Sequence, residues 1–322
     1  MNHLLIGGGM ILAIDIGGTQ FGLALATADG KVVKRVQRQT DRHGGAQWMV
    51  DHLLRESKLL MARSEEPVSM CGIGFGGPVN FETQRIVNST HVSGWDDYPL
   101  PEVITRELGL PAIVDNDANV GALGECVFGA GVGSRHLVYY TVSTGIGGGI
   151  VIDGHVYRGG NGNAGELGHV PILLDGPLCA CGNRGCLEAL CSGTAIGERG
   201  EAFVQQYPRK GRVLRQTADG EKITAKAVFN AARAGNKLAK EVVAETCMYL
   251  GMGVAATMNA FAPDVIVIGG GVSKAGRVLF DPLRQSANRF LMPIHRASFK
   301  VVPAKLKGQS VLLGAVALAR QM

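Results

Sequence analysis

The sequence predicts an α/β protein of two lobes built on a repeated layout. At 322 residues the chain exceeds the size that one hydrophobic core usually serves. The run strand, glycine-rich turn, strand, Asp-Gly turn, strand occurs twice, first from Ile11 and again from His136. Helical patterns then dominate, around one further buried strand at Asp264 to Ile268.

Ile11 to Ile16 (ILAIDI) is a continuous apolar run, as a buried strand requires. Gly17 and Gly18 turn it, Phe21 to Ala26 reads as a second strand, and Asp29-Gly30 signals a hairpin into a third at Lys31 to Gln39. Trp48 to Leu60 carries apolar residues at helical spacing. Cys71 to Phe75 and Ala112 to Val114 are short strands, and Ala118 to Val127 reads as a helix. In the second round His136 to Val142 is a strand, Gly145 to Gly149 a turn and Gly149 to Ile152 the return. Asp153-Gly154 then leads to a short strand at His155 to Arg158. Helices are expected at Ala225 to Ala234, Leu238 to Asn259, Pro282 to Arg289 and Val311 to Arg320. The polar, basic segment Tyr207 to Lys222 is expected as a mobile surface excursion.

Composition is that of a globular enzyme, 46% hydrophobic and 18% charged, and the 47 glycines sit in tight motifs rather than in a linker. No apolar stretch reaches the ~20 residues that span a bilayer. A net charge of +5 suits an anionic ligand such as a nucleotide but is too small to argue for DNA. The densest basic patch, Arg209, Lys210, Arg212 and Arg215, reads as a solvated loop. Met1 to Met10 has neither a basic n-region nor a cleavage site, so a cytoplasmic, reducing compartment is expected. There, clustered cysteines bind metal more often than they pair.

The stretch from Asn163 to Glu188 holds His169, Cys179, Cys181 and Cys186, one imidazole and three thiols. Soft sulfur plus one imidazole suits tetrahedral Zn²⁺, and four protein ligands make a closed, structural site. Glu166 and Glu188 sit at the two ends of this loop. Cys71, Cys126, Cys191 and Cys247 lie in apolar surroundings and read as inert core residues.

Asp15, Gly17, Gly18 and Thr19 form DIGGT after the first strand. Backbone amides around glycine, plus a threonine hydroxyl, make a concave anion cradle. Asp15 would anchor Mg²⁺ from the outer sphere. Ser143 to Gly149 (STGIGGG) offers the same chemistry from the second half. Gly72, Gly74 and Gly77 match G-x-G-x-x-G by spacing, but a dinucleotide fingerprint must open a helix, and Pro78, Val79 and Asn80 follow instead. No P-loop motif occurs. Finally, Asp115-Asn116-Asp117-Ala118-Asn119 lies between a strand and a helix. Two Asp and two Asn exceed what one helix cap needs, and a carboxylate there can take a proton from a bound hydroxyl.

DIGGT at 15–19, GFGGPVN at 74–80, DNDAN at 115–119, STGIGGG at 143–149, ELGH at 166–169, CxCGxxGCxE at 179–188 and IGGGVS at 268–273 occur in that order. Together, from about residue 11 to the C-terminus, they resemble the ROK (repressor, ORF, kinase) family of bacterial sugar kinases. The resemblance implies a two-lobed actin-like ATPase (ribonuclease H-like) fold with a duplicated mixed sheet and a zinc-binding loop. It divides the chain into an N-terminal lobe, 11–117 plus 306–322, and a C-terminal lobe, 118–305, with the zinc loop at 169–186. ATP and sugar would lie in the cleft. By the resemblance, Asp117 is the catalytic base, and Gly77, Asn116, Glu166, His169 and Glu188 hold sugar hydroxyls. Asp15, Gly17, Gly18, Thr19 and Gln20, with Thr144, Gly145 and Gly147, face the phosphates. Gly270 and Gly271 lie against adenosine. His169 would bind zinc through one ring nitrogen and sugar through the other. Two positions depart from the family pattern: Gln20 stands where Lys or Asn is common, and His91 where Asn is common.

The implied function is ATP-dependent phosphorylation of a hexose, glucose first, at the C6 hydroxyl, with N-acetylmannosamine and N-acetylglucosamine as alternatives. The implied partners are a small-molecule sugar and a second copy of the chain, with neither nucleic acid nor membrane. The family's other branch, sugar-responsive repressors, carries a helix-turn-helix domain ahead of the kinase-like body, and the phosphate loop at Asp15 leaves no room for one. A non-catalytic, zinc-stapled scaffold is the third reading, and the twin phosphate loops argue against it.

Overall fold

The structure, a computed structural model, describes residues 9–89, 92–218 and 221–322. The chain folds as two compact units, one of residues 1–133, 154–164 and 305–322, the other of 134–153 and 165–304.

In the first unit β1 (Met10–Ile16), β2 (Gln20–Ala26) and β3 (Val32–Gln39) form an antiparallel meander. Helix α1 (Gly45–Met61) leads to β4 (Val68–Phe75) and the short hairpin β5 (Val79–Asn80) and β6 (Arg85–Ile86). Helix α2 (Leu100–Leu108), β7 (Ala112–Asn116) and α3 (Asp117–Phe128) follow. The sheet order is β3-β2-β1-β4-β7, with β4 parallel to both β1 and β7. Strand β1 is central, so both of its faces are buried. Leu12, Ile14 and Ile16 point toward Met49 and Leu53 of α1 and Ile104 of α2, while Ile11 and Ala13 point toward Val120 and Leu123 of α3. The same alternation puts Asp15 on the α3 face.

The chain continues with β8 (Leu137–Val142), β9 (Ile146–Ile152) and β10 (His155–Val156). Helices α4 (Leu187–Cys191), α5 (Gly193–Gln206), α6 (Pro208–Thr217), α7 (Ala225–Arg233) and α8 (Lys237–Phe261) come next. Then follow β11 (Val265–Gly269), α9 (Gly270–Ser273), α10 (Arg277–Phe290), β12 (Val301–Pro303) and α11 (Ser310–Ala319). The second sheet has the order β10-β9-β8-β11-β12. Leu250 and Val254 of α8 and Leu279 and Leu283 of α10 belong to the apolar core that includes Val138 and Ile266 of this sheet.

Three sequence expectations need correction. Residues 207–222 are not a surface loop over their described part: 208–217 form α6, with Leu214 fully buried and Arg215 paired to Glu201. Only one narrow face is apolar, which hides the helical period. The glycines after Gly145 do not turn; Ile146 to Ile152 is strand, and Gly147, Gly148 and Gly149 pair with Thr141, Tyr140 and Tyr139. A Cβ at Gly148 would lie 2.5 Å from the carbonyl oxygen of Gly165, so glycine here makes room for the zinc-loop backbone. Helix α10 begins at Arg277, with Pro282 inside it rather than at its start.

Gly72 and Gly74, half of the rejected dinucleotide match, lie within β4. A Cβ at Gly72 would sit 1.9 Å from the Ala315 carbonyl oxygen, and one at Gly314 1.7 Å from that of Val120. These glycines let α11 press against β4 and α3. Beside them the fully buried carboxylate of Glu125 accepts from Ala130 N (2.8 Å), Lys305 N (3.0 Å), Leu306 N (3.1 Å) and Ser310 Oγ (2.7 Å). Four donors offset its desolvation and tie α3 to the segment that enters α11.

Candidate active site

In the first unit the site grows from the junction of β7 and α3. Asn116 caps α3: its Oδ1 accepts from Ala118 N (2.9 Å) and Asn119 N (3.4 Å). Its Nδ2 donates to the Gly77 carbonyl at 3.0 Å, which fixes the GFGGPVN loop beside the cap. Asp117 is the first residue of α3, where the helix dipole favours a negative charge. Gly76 N donates to the Ile16 carbonyl (2.8 Å), and a Cβ on Gly76 would lie 3.5 Å from Asp117 Oδ2. DIGGT, GFGGPVN and DNDAN therefore meet at one place. Gly17 N donates to the Gln20 carbonyl (3.0 Å), closing the tight turn that carries Gly18 and Thr19. Gln20 starts β2, and its side chain accepts from Gln37 on β3. His91, the departure from the family pattern, lies outside the described residues.

Asp15 and Asp117 feel one another. Burial first, and then the charge of Asp117, push the Asp15 carboxyl up to about 7, against the opposing pull of Arg35. The unfolded reference is 3.8. Stability that Asp15 contributes is therefore present below about pH 4 and lost as pH rises through about 7. We expect Asp15→Asn to raise Tm by several degrees at about pH 8 and to leave it unchanged near pH 4, each kcal/mol being worth ~2–4 °C. Calorimetry at the two pH values checks this, and equal shifts at both would break the linkage.

In the second unit His169, Cys179, Cys181 and Cys186 bring their ligand atoms within 4.8 Å of one another. His169 Nδ1 lies 3.5 Å from Cys179 Sγ, while Nε2 faces Glu166 Oε2 at 3.8 Å. The two ring nitrogens are thus divided between thiols and carboxylate. The Asn183 backbone N–H lowers the Cys181 thiol to about 7, whereas burial pushes Cys186 up to about 12. One nitrogen and three sulfurs in this cluster fit Zn²⁺. Glu188 follows Cys186 by two residues on α4. Its Oε2 accepts from Ile146 N at 2.7 Å, and a Cβ on Gly145 would lie 2.4 Å from the same oxygen. The zinc-loop acid is thereby packed under the STGIGGG loop.

Thr144 and Gly271 border a cavity of about 620 Å³, within the size range of small-molecule sites. Gly270 has φ +80°, and a Cβ there would lie 2.3 Å from the Val142 carbonyl oxygen. Lys226, Asn230, Arg233 and Lys274 also line this cavity. Sequence reading missed them: Lys226, Asn230 and Arg233 sit in α7 with no motif, and Lys274 directly follows IGGGVS without belonging to it.

A profile of the ROK family matches residues 11–322. The chain belongs to the ROK family. The glucokinase of Thermotoga maritima is 35% identical over 312 residues, 97% of each chain. That of Halalkalibacterium halodurans is 37% identical over 286 residues, 88% of this chain and 86% of the relative. The xylose repressor of Caldicellulosiruptor bescii is more distant, 29% identical over 316 residues that span 96% of this chain and 78% of the repressor. A ROK family glucokinase from Streptomyces griseus, solved in complex with glucose and AMPPNP, aligns with TM-score 0.85 at 33% identity and covers 98% of this chain and 100% of its own. The two mixed five-stranded sheets are those of the ROK, actin-like fold, and the His-Cys₃ cluster matches the zinc signature of the ROK family. Among the described residues, no helix is long and apolar enough to cross a membrane.

Proposed function

We propose that this ROK family protein is an ATP-dependent hexose kinase that phosphorylates glucose at the C6 hydroxyl, with Asp117 as general base. The observation that carries the reading is the setting of Asp117: first residue of α3, beside the DIGGT turn, in electrostatic contact with Asp15, and next to an Asn116 cap tied to Gly77. A proton acceptor and an anion cradle on neighbouring loops are what phosphoryl transfer to a hydroxyl requires. The glucokinases among the relatives support glucose over other hexoses.

In this mechanism the C6 oxygen attacks the γ-phosphorus of ATP in line. A new O–P bond forms, the bond to the bridging oxygen of ADP breaks, and the hydroxyl proton passes to Asp117. Positioning supplies most of the rate. Asn116, Gly77, Glu166, His169 and Glu188 would hold sugar hydroxyls. Gly17, Gly18, Thr19 and Gln20, with Thr144, Gly145 and Gly147, would hold the phosphates, and Gly270 and Gly271 would lie against adenosine. Mg²⁺, held near Asp15, would spread the phosphate charge. The four zinc ligands would freeze the His169 ring, leaving Nε2 as an oriented donor.

Release of ADP from ATP in the presence of glucose, N-acetylmannosamine, N-acetylglucosamine and other hexoses at matched concentration tests the reading. We expect glucose to give the fastest release, with kcat in the range of ~1–100 s⁻¹ typical of kinases. No sugar-dependent ADP release from any of them would reject it. The xylose repressor among the relatives supports the second reading, sugar-responsive repression, which predicts a shifted band with the DNA upstream of its own gene.

A further inference from the structure

We infer that Arg158 is a positioning residue, which sets the Asn116–Asp117 turn through a buried ion pair with Asp115 and thereby governs turnover rather than sugar affinity. The inference rests on the kinase reading above. Asp115 is the penultimate residue of β7 and only 2% exposed. Its two oxygens divide their work. Oδ2 accepts from Arg158 Nε at 2.9 Å and lies 2.8 Å from Nη2. Oδ1 accepts from Asn116 N at 2.7 Å and from Asn119 Nδ2 at 3.2 Å. One carboxylate thus joins a guanidinium to the first turn of the helix that begins with Asp117.

The arginine is itself held on three sides. Its guanidinium carbon lies 3.4 Å from the centroid of the Phe81 ring, Nη1 donates to the Val156 carbonyl at 3.4 Å, and Asp115 takes the remaining edge. A planar guanidinium that stacks on Phe81, donates from Nε to Asp115 Oδ2 and keeps Nη2 within ion-pair distance of the same oxygen is a task for Arg, and Lys reproduces the charge alone. The setting explains the need for a cation. Asp15, Gly74 and Asp115 lie in one row across β1, β4 and β7, so both acids project to the α3 face, and between them Gly74 carries no side chain of its own while Val311 packs over it. Burial pushes the Asp115 carboxyl up and Arg158 pulls it down. Without Arg158 the buried Asp115 carboxylate would lose its cationic partner, and the turn it holds through Asn116 N and Asn119 Nδ2 would be free to shift.

The test uses the full chain and three variants: Arg158→Met, Arg158→Lys, and Arg158→Met combined with Asp115→Asn. The double variant removes both charges, which buried pairs commonly tolerate, whereas removing one partner alone destabilises. We expect Arg158→Met to lower kcat by about 10²-fold, with sugar Kd by calorimetry changed by less than about threefold. Arg158→Lys should recover part of that loss. The double variant should regain the wild-type Tm while its kcat stays at least about tenfold low. A double variant with wild-type kcat, or sugar affinity that falls in step with kcat in all three, overturns the inference and leaves a purely structural ion pair. Loss of activity is scored against a wild type that releases ADP with sugar. A wild type that releases none fails the kinase reading itself, and the positioning role with it.

Discussion

On the kinase reading, Asp117→Asn is expected to yield a protein that still binds sugar but transfers phosphoryl groups at least ~10²–10⁴-fold more slowly, the range supplied by a positioned general base. Asn keeps the size of Asp and can still accept a hydrogen bond from the C6 hydroxyl, so ground-state affinity is largely retained. It cannot take the proton, and the attacking oxygen then stays a poor nucleophile. Helix α3 survives the change, because its cap is Asn116 and not Asp117. A second readout is independent of activity. With Asp117 neutral, one of the two influences that raise Asp15 disappears, and the Asp15 carboxyl moves down from about 7, although burial still holds it above 3.8. Single-turnover kinetics, sugar calorimetry and an NMR titration of Asp15 check the three parts. Turnover near wild type removes Asp117 from the role of base.

Cys181→Ser is expected to lose zinc and sugar affinity together. Cys181 is the exposed member of the cluster, so the substitution creates no cavity in the core. It does remove the thiol most ready to bind a cation at neutral pH, since its own value lies near 7 while Cys179 and Cys186 are both raised by burial. Zinc content should fall from about one ion per chain toward none, and sugar Kd should rise by ~10-fold or more as the His169 ring gains freedom. Metal analysis and calorimetry on one preparation check both. Unchanged sugar affinity in a metal-free variant would separate the cluster from the pocket.

What the sequence made legible was chemistry written over short spacings. DIGGT, DNDAN and the His-Cys₃ loop each occupy consecutive turns or strand ends, and the structure brings the parts of each together. Strand β1 could be read because it is a continuous apolar run, and α1 because its apolar residues recur at helical spacing, whereas α2, nine residues long with only Leu100, Pro101 and Ile104 buried, was not read. Longer reaches could not. Arg158 and Asp115 are 43 residues apart, and nothing local marks Arg158 as more than a strand-end cation. Glu125 gathers donors from residues 180 to 185 positions later, which no periodicity reveals. Helix α5 was hidden by its own glycines. Gly193, Gly197 and Gly200 depress helix propensity, yet Gly193 N donates to the Ser143 carbonyl at 2.6 Å and a Cβ on Gly197 would meet the Ile223 carbonyl at 2.6 Å. The absent side chains bring the helix up against Ser143 at Gly193 and against Ile223 at Gly197 and Gly200, and only the fold shows that gain.

The hydrogen bond from Ile146 N to Glu188 has a physiological side. Glu188, two residues downstream of Cys186, would on the kinase reading grip carbohydrate while it clamps a peptide of the loop proposed to hold ATP. If that reading holds, a cell short of zinc would slacken both seats at once. Restoring the ion would then bring back both affinities in a single step.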